Sequence, residues 1–205
     1  MRVAVLGAGG QLGREVLTAL MNHEFNVCAV VRRSPDPPFE NAVEIRLADA
    51  RSREQVLSAI GGSDAVVNVI GGGTLRRNNV ASSASAIVVP VVEDAGIKRY
   101  IAMSAGMVAL DWAFFKYVLR PVIFRHILAE HNRVEAIVRA SGLDWTIVRP
   151  SALTNYPAKG YVASLSLERS AFMTARADVA AFIADELESN EHIRQAVFVV
   201  SCRPR

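Results

Sequence analysis

The chain has 205 residues, of which 51% are hydrophobic and 21% are charged. This composition supports one domain with a substantial buried core, and it excludes a disordered tail or a small scaffold held by disulfides. Lysine and arginine together number 23, and aspartate and glutamate number 20. Because these charges are scattered without a basic block, no nucleic-acid partner is predicted.

Short β-branched apolar runs alternate with longer amphipathic stretches along the chain. Strands are predicted over Arg2 to Leu6, Asn26 to Val31, Val43 to Leu47, Ala65 to Ile70, Arg99 to Met103, Trp145 to Val148 and Ala196 to Val200. Helices are predicted over Leu12 to Met21, Ser52 to Ile60, Val80 to Asp94, His126 to Ala140 and Ala177 to Leu187. This alternation predicts an α/β fold, a doubly wound parallel sheet in one domain spanning residues 1–205.

Two later segments do not follow the alternation. Residues 151–174 are predicted to be irregular apart from a short strand over Tyr161 to Leu165, and their place in the fold makes them the candidate substrate-side wall. The apolar stretch Met107 to Phe124 contains Pro121 and three charged residues, so we expect a helix packed over a pocket and no stable membrane insertion. An interfacial segment that touches a membrane or a partner is the alternative.

The amino-terminal stretch lacks a signal-peptide pattern, because its short apolar run leads straight into glycines. Cys28 and Cys202 form neither a disulfide framework nor a metal-ligand pair, and the four histidines are not clustered with carboxylates or thiols. We therefore expect a cytoplasmic protein without a metal site.

A glycine-rich loop follows the first predicted strand and opens the first predicted helix. Its residues are Gly7, Ala8, Gly9, Gly10, Gln11, Leu12 and Gly13. Glycine permits positive φ and close approach to a phosphate, and a helix N-terminus offers free N–H groups to a pyrophosphate. The spacing of Gly7, Gly10 and Gly13 is typical of short-chain dehydrogenase-like folds and predicts a Rossmann-like dinucleotide site. A plain tight turn is the alternative.

The end of the second strand indicates which dinucleotide binds. An NAD site usually has an acidic residue here that bonds the ribose 2′-hydroxyl, whereas this strand ends in Arg32, Arg33 and Ser34. Planar, permanently charged guanidinium groups suit a phosphate, so NADP(H) is predicted to be preferred over NAD(H). Two solvated arginines on a loop are the alternative.

Residues after the next two strands complete the predicted cofactor site. Asp49 and Ala50 follow the third strand where the adenine edge would lie, although an exposed helix cap explains Asp49 equally well. Ile70, Gly71 and Gly72 follow the fourth strand and leave the backbone free to pack against a dinucleotide. A flexible loop would have the same composition.

The chain resembles the atypical short-chain dehydrogenases, with the NmrA-like and biliverdin reductase B (flavin reductase) branch nearest. Besides the glycine loop, the motifs that carry the resemblance are Val31-Arg32-Arg33, Ala102-Met103-Ser104-Ala105, the helix His131 to Ser141, the run Gly142 to Pro150 and Arg176 to Ala180. The resemblance implies that Pro150, Ser151 and Ala152 border a nicotinamide. It also implies that Asp178 is an N-terminal helix cap and not a catalyst.

The better-known short-chain dehydrogenases use a tyrosine with a lysine four residues later, and this chain departs from that pattern. The positions four residues after its tyrosines hold Ser104, Pro121, Gly160 and Leu165. Ordinary alcohol–ketone chemistry and sugar-nucleotide epimerisation are therefore not predicted.

The resemblance supplies two candidate catalytic residues. Ser104, at the end of the fifth strand, would face the nicotinamide and the substrate; a serine that satisfies local backbone groups is the alternative. His131 lies on the helix that carries the tyrosine–lysine pair in other members, and it resembles a histidine of the flavin reductase branch that would act as a proton donor. Helix packing accounts for His131 at least as well.

A reductase without the tyrosine–lysine pair needs an acceptor that takes hydride readily and obtains its proton from water. We therefore expect an NADP-dependent oxidoreductase, monomeric or homodimeric, that reduces a flat flavin, bilin or quinone. A non-catalytic NADP-binding sensor or assembly factor is the alternative, and an isomerase or dehydratase that uses bound cofactor is a third. The rings that could stack on the acceptor, instead of packing in the core or at a dimer contact, are Trp112, Phe114, Phe115 and Tyr117.

Overall fold

Apolar residues on both faces of the central strands require helices on both sides of the sheet. The computed structural model of the chain describes residues 1–39, 43–71, 79–106, 125–166 and 173–202. In chain order, the elements of this part are β1 (Arg2–Leu6), α1 (Gln11–Asn22), β2 (Asn26–Val31), β3 (Glu44–Leu47), α2 (Arg53–Ile60), β4 (Ala65–Asn68), α3 (Val80–Asp94), β5 (Arg99–Met103), α4 (Arg125–Ala140), β6 (Asp144–Pro150), β7 (Ala152–Thr154), β8 (Tyr161–Ser164), β9 (Met173–Ala175), α5 (Arg176–Ser189) and β10 (Gln195–Ser201).

Eight strands form one sheet in the order β3-β2-β1-β4-β5-β6-β10-β8. All neighbours are parallel except the edge strand β8, which runs antiparallel to β10. The chain builds the sheet outward from β1 to β3 on one side and from β4 to β10 on the other. The strand order therefore reverses between β1 and β4, and a crevice opens there at the carboxyl ends of the strands. The predicted α/β, doubly wound fold is confirmed.

Strand β1 shows how the two cores are divided. Val3 and Val5 pack in the layer that contains α1 and α5, whereas Ala4 and Leu6 pack in the layer that contains α2, α3 and α4. Alternate residues of a strand face opposite sides of a sheet, so a continuous apolar run serves both cores. The core therefore lies on both faces of the strands, and the two ends of the sheet remain for polar groups.

A buried polar cluster closes the amino ends of the strands. Arg99 at the start of β5 donates from Nη2 to Oε1 of Glu186 at 2.7 Å, and Thr146 Oγ1 lies 3.2 Å from the same carboxylate oxygen. The other Glu186 oxygen lies 2.7 Å from His192 Nδ1. A buried carboxylate needs such partners to offset its lost hydration, and these partners join β5, β6 and α5. The crevice lies at the other end of the strands, their carboxyl ends.

The predicted elements appear where the periodicity placed them, with one addition. Strands β7 and β9 pair in parallel as a separate two-stranded sheet, so the expectation that 151–174 is irregular outside Tyr161 to Leu165 is wrong for these strands. The predicted helix Met107 to Phe124, with its aromatic residues, lies outside the described residues. Among the residues that are described, no helix is long and apolar enough to cross a membrane.

The expectation that Asp178 caps a helix is also wrong. The N-cap of α5 is Ala175, and Asp178 lies inside the first turn, buried. Its carboxylate accepts hydrogen bonds from the Lys159 N–H at 3.0 Å and from the Ser201 hydroxyl. The residue therefore joins α5 to the chain before β8 and to the end of β10.

Helix α1 begins unusually close to the end of β1. A Cβ atom at Gly13 would lie 2.3 Å from the Gly7 carbonyl oxygen and 2.6 Å from Ala8 Cα. Both are backbone atoms, which cannot move aside without displacing β1 or α1. Gly7 itself has φ +85°, a conformation that favours glycine. The loop thus needs glycine for packing at one position and for backbone conformation at the other.

We predict that Gly13→Ala lowers the free energy of unfolding by about 3 kcal/mol, because the added methyl group forces the helix away from the strand. Gly71→Ala is the matched control, since its Cβ would meet no described atom within 4 Å and should change stability by less than about 0.5 kcal/mol. Urea denaturation measures both variants. Equal stability of the two variants would contradict the packing argument.

Candidate functional site

A cleft of about 1040 Å³ lies at the carboxyl ends of the strands, where the strand order reverses. It brings together many of the residues predicted to hold a cofactor, which reach it from the ends of β1, β2, β3 and β4. The predicted residues that line it are Gly7, Gly9, Gly10, Arg32, Arg33, Ser34, Asp49, Ala50 and Ile70. Residues as far apart in the chain as Gly7 and Ile70 meet here because parallel strands end at one edge.

The remaining predicted cofactor residues are not among those that line this cleft. Leu12 and Gly13 are buried in the first turn of α1, and Gln11 begins that helix at the surface. Gly71 is exposed directly beyond the lining residue Ile70, and Gly72 lies outside the described residues. The group formed by Ser104, Pro150, Ser151 and Ala152 lies at the ends of β5 and β6.

The N-terminus of α1 opens onto the cleft without a side-chain cap. Its N-cap residue is Gly10, which has no side chain that could accept from the helix N–H groups. The first helical hydrogen bond runs from Arg14 N to Gly10 O at 3.0 Å. The N–H groups of Gln11, Leu12 and Gly13 therefore have no acceptor within the helix. Unpaired N–H groups and the positive end of the helix dipole together suit a pyrophosphate.

The opposite wall of the cleft carries positive charge. Arg32, Arg33 and Ser34 are exposed and follow β2 directly, so their side chains border the β2–β3 side of the cleft. Asp36 borders the same cleft two residues further on. The cleft therefore carries both a glycine loop and two exposed arginines in its lining.

Arg51 binds the carboxylate of Asp49, and both residues line the cleft. Its carboxylate accepts hydrogen bonds from the Arg51 backbone N–H at 3.0 Å and from the guanidinium at 3.1 and 3.2 Å. These hydrogen bonds lower the pKa of Asp49. The helix-cap explanation of Asp49 is wrong, because Ser52 is the N-cap of α2 and accepts from Gln55 N.

The ends of β5 and β6 form a second, buried part of the site. The Ser104 N–H donates to the Val148 carbonyl at 2.8 Å, and a Cβ at Gly106 would lie 2.9 Å from the Pro150 carbonyl oxygen. Pro150 is buried, and Ala152 is exposed. The Ser151 and Thr174 hydroxyls lie 2.7 Å apart, which joins the end of β6 to β9. The chain that follows β6 is thus packed tightly against the chain that follows β5.

The hydroxyl of Ser104 is bonded to a buried carboxylate from α4. Ser104 Oγ donates to Oε1 of Glu135 at 2.7 Å, so the alternative in which this hydroxyl satisfies local backbone groups is wrong. Arg149 on β6 donates from Nε to Oε1 at 2.8 Å and from Nη2 to Oε2 at 2.6 Å. Burial alone would raise the pKa of Glu135, but the hydrogen bonds from Arg149 and Ser104 outweigh it and lower that pKa. Glu135 is therefore an ionised acceptor.

His131 lies on the same face of α4, one turn before Glu135. Its Nδ1 atom is buried and has no hydrogen-bond partner among the described residues. Burial lowers the pKa of His131, against the opposing effect of the carboxylates of Glu130 and Glu135. The imidazole is therefore neutral at pH 7. Its predicted role as a proton donor stays a prediction.

Glu130 joins α4 to the first turn of α3. Its carboxylate accepts from the Ser82 N–H at 2.8 Å and from the Ser82 hydroxyl at 2.7 Å, and Glu130 is buried. Sequence reasoning missed Glu130, Glu135 and the ion-pair role of Arg149. The only signal was that both glutamates flank the apolar stripe of α4 that contains Val134, a pattern that surface glutamates share.

Comparison with known proteins places this site in a family. A family model described as NAD(P)H-binding matches residues 7–190. The uncharacterized sugar epimerase YhfK of Bacillus subtilis (strain 168) is 32% identical over 197 residues, which cover 92% of this chain and 88% of that protein. Many solved structures also match, among them the two that follow. A putative NAD-dependent epimerase/dehydratase from Bacillus halodurans has a TM-score of 0.83 and 26% identity, with 98% of this chain and 94% of that chain covered.

The second solved structure is ChuY, an anaerobilin reductase from Escherichia coli O157:H7. It has a TM-score of 0.82 and 23% identity, and the match covers 100% of both chains. At this level of identity the match shows that the two proteins share a fold.

We predict that His131 titrates below its ordinary value of 6.5, because burial disfavours the charged imidazole. The unfolded chain then takes up a proton before the native protein does, so the stability that depends on neutral His131 is present above pH 6.5 and is lost as the pH falls through the lowered native pKa. Histidine NMR titration and urea unfolding between about pH 7 and 5 measure both effects. His131→Gln should show a smaller loss of stability over this range. Titration of His131 above 6.5 would contradict its burial.

Proposed function

Since the chain belongs to the NAD(P)H-binding family, we propose that it is an NADP(H)-dependent oxidoreductase that transfers hydride to a flat conjugated acceptor of the flavin, bilin or quinone type. The observation that carries the cofactor part is the basic wall of Arg32 and Arg33 across the cleft from the uncapped N-terminus of α1. The resemblance to the atypical short-chain dehydrogenases, which the comparisons confirm, supports the reductase part.

The residues of the cleft define which half of the cofactor each side would hold. The α1 N–H groups would bind the pyrophosphate, and Arg32 with Arg33 would bind a 2′-phosphate on the β2–β3 side. A dinucleotide lies across the point where strand order reverses, so its other half would extend toward the ends of β4, β5 and β6. On that side lie Ile70, Ser104 and the segment 150–152. A bound reduced nicotinamide would supply the hydride.

The chain's own residues fit an acceptor that needs no strong buried acid. Among the described residues, neutral His131 and ionised Glu135 leave no protonated acid directly beside Ser104, so the site would mainly position two flat rings in contact. The hydroxyl of Tyr100 accepts from Asn68 Nδ2 at 2.9 Å inside the core, which leaves it no place in the cleft. The name of the E. coli neighbour, an anaerobilin reductase, supports a conjugated acceptor of this kind.

Removal of the basic wall tests the cofactor preference. In Arg32→Ala and Arg33→Ala, NADPH binding should weaken by about 10- to 100-fold each, since a hydrogen bond to a charged group contributes about 1.5–3 kcal/mol. NADH binding should change little, because it lacks the 2′-phosphate. Fluorescence transfer from protein to reduced cofactor measures both affinities. Arg53→Ala is the matched control, since Arg53 pairs with Asp94 outside the cleft.

Two results would contradict this assignment. Equal affinity of the unaltered protein for NADPH and NADH would remove the role of the arginines in cofactor preference. Weaker binding of both cofactors in the arginine variants would show that the arginines hold the pyrophosphate, which is common to the two.

Addition of FMN, biliverdin and a quinone to the NADPH complex tests the reaction. We expect one of them to accelerate NADPH oxidation, and Ser104→Ala to reduce that rate by about 3- to 10-fold, the effect of one neutral hydrogen bond. Loss of NADPH absorbance measures the rate. Binding without acceptor-dependent oxidation would instead favour a non-catalytic NADP-binding sensor, and product without net NADPH loss would favour an isomerase.

A further inference from the structure

We propose that Glu135 is a positioning residue whose carboxylate accepts a hydrogen bond from the only proton of the Ser104 hydroxyl. Ser104 can then act toward the cofactor only as an acceptor, and it takes a hydrogen bond from the carboxamide NH2 of the nicotinamide. This inference rests on the proposed function, because it assumes that a nicotinamide dinucleotide occupies the cleft. It assigns a role to a side chain that reaches Ser104 from another element.

The argument begins with the hydrogen-bonding capacity of serine. A hydroxyl has one donor and two acceptor positions. The 2.7 Å bond from Ser104 Oγ to Glu135 Oε1 uses that donor, because an ionised carboxylate can only accept. With its donor used in this direction, the Ser104 oxygen retains only acceptor capacity. A ligand carbonyl oxygen cannot be bonded by such a serine, whereas a ligand N–H group can.

The reverse arrangement, with a protonated Glu135 as donor, is blocked by the neighbouring arginines. Oε1 already faces Arg149 Nε at 2.8 Å, and Oε2 faces Arg149 Nη2 at 2.6 Å and Arg139 Nη2 at 3.4 Å. Each carboxylate oxygen thus receives a guanidinium N–H, and a proton on either oxygen would oppose a permanently charged donor. The charge on Glu135 follows from this geometry.

The same contacts prevent Glu135 from turning away. Arg149 binds both carboxylate oxygens, and Glu135 is buried. The Arg149 guanidinium also lies over the Phe198 ring, 5.3 Å from its centroid and within the limit of about 6 Å for such contacts. The carboxylate, the arginine and the ring join α4 to β6 and β10. The hydroxyl of Ser104 is consequently oriented before any ligand arrives, and ligand binding need not reorder it.

The junction of β5 and β6 places Ser104 where it would bind the carboxamide of a nicotinamide. Ser104 N–H is bonded to Val148, and Gly106 approaches the Pro150 carbonyl too closely for a side chain. The half of the dinucleotide beyond the pyrophosphate would extend to this junction. The carboxamide NH2 is the donor of the nicotinamide ring, and it matches an acceptor-only serine.

A pair of cofactors that differ in this one group tests the proposal. The oxidised 3-acetylpyridine analogue of NADP replaces the carboxamide NH2 with a methyl group and retains the carbonyl. Isothermal titration should show that the unaltered protein binds NADP about 3- to 10-fold more tightly than the analogue, the range of one neutral hydrogen bond. In Ser104→Ala this ratio of dissociation constants should fall by the same factor, and Ser104→Thr, which keeps the hydroxyl, should preserve it.

The role of Glu135 is tested by the same ratio in Glu135→Gln. An amide can donate to Ser104 and release the serine proton toward the ligand, so discrimination against the analogue should decline. A general loss of structure would weaken binding of both cofactors and leave the ratio unchanged. Glu54→Gln, an exposed exchange in α2, is the matched control and should keep the ratio of the unaltered protein.

The outcomes separate this inference from the function on which it rests. A ratio that is unchanged in Ser104→Ala would overturn the acceptor role of Ser104, and a ratio that is unchanged in a folded Glu135→Gln would overturn the positioning role. If Glu135→Gln fails to fold, the two Ser104 variants decide the acceptor role. Failure of the unaltered protein to bind either dinucleotide would overturn the proposed function itself.

Discussion

The close approach of α1 to the end of β1 is the constraint on which the site depends. No side chain fits at Gly13 between the helix and the Gly7 carbonyl. This contact aims the uncapped N-terminus of α1 at the crevice where the strand order reverses. If the helix lay further away, its free N–H groups would point past the crevice, and the basic residues after β2 would face no second phosphate-binding group. Packing and binding therefore depend on the same glycine.

The two ends of the sheet show different uses of buried charge. At the amino ends, Arg99 and Glu186 join strands and helix, and Thr146 and His192 also bond the Glu186 carboxylate. At the carboxyl ends, Glu135 and Arg149 make a similar pair, but the carboxylate also bonds Ser104 beside the candidate site. A buried ion pair is weak evidence of stabilisation, because desolvation opposes the attraction. Its value at the carboxyl ends is that it fixes the direction of a hydroxyl.

The relatives illustrate that this fold hosts more than one chemistry. The B. subtilis relative is named a sugar epimerase, and the E. coli neighbour is named a reductase. The fold alone therefore does not decide the reaction, which depends on the side chains at the site. In this chain the residue after β5, Ser104, is bonded to the Glu135 carboxylate, and His131 lies one turn before that glutamate on α4.

The sequence by itself determined the fold class, and it predicted many of the residues that line the crevice. Apolar periodicity located the strands and helices, and the spacing of Gly7, Gly10 and Gly13 with Arg32 and Arg33 after β2 indicated the dinucleotide cleft. These signals are local, since they depend on residues close together in the chain, and the parallel topology then brings their ends to one edge. Such signals can therefore be recognised in the sequence alone.

Only the tertiary structure decided which polar groups meet. Ser104, Glu135 and Arg149 lie on three elements, and nothing in the spacing along α4 distinguishes a glutamate that bonds β5 and β6 from one that faces water. The local interpretation of Asp178 as a cap failed for the same reason, because its partners Lys159 and Ser201 come from distant parts of the chain. The three-residue strands β7 and β9 are too short for a period of two to show. Hydrogen-bond partners are set by packing between elements, and a sequence pattern reports only the packing within one.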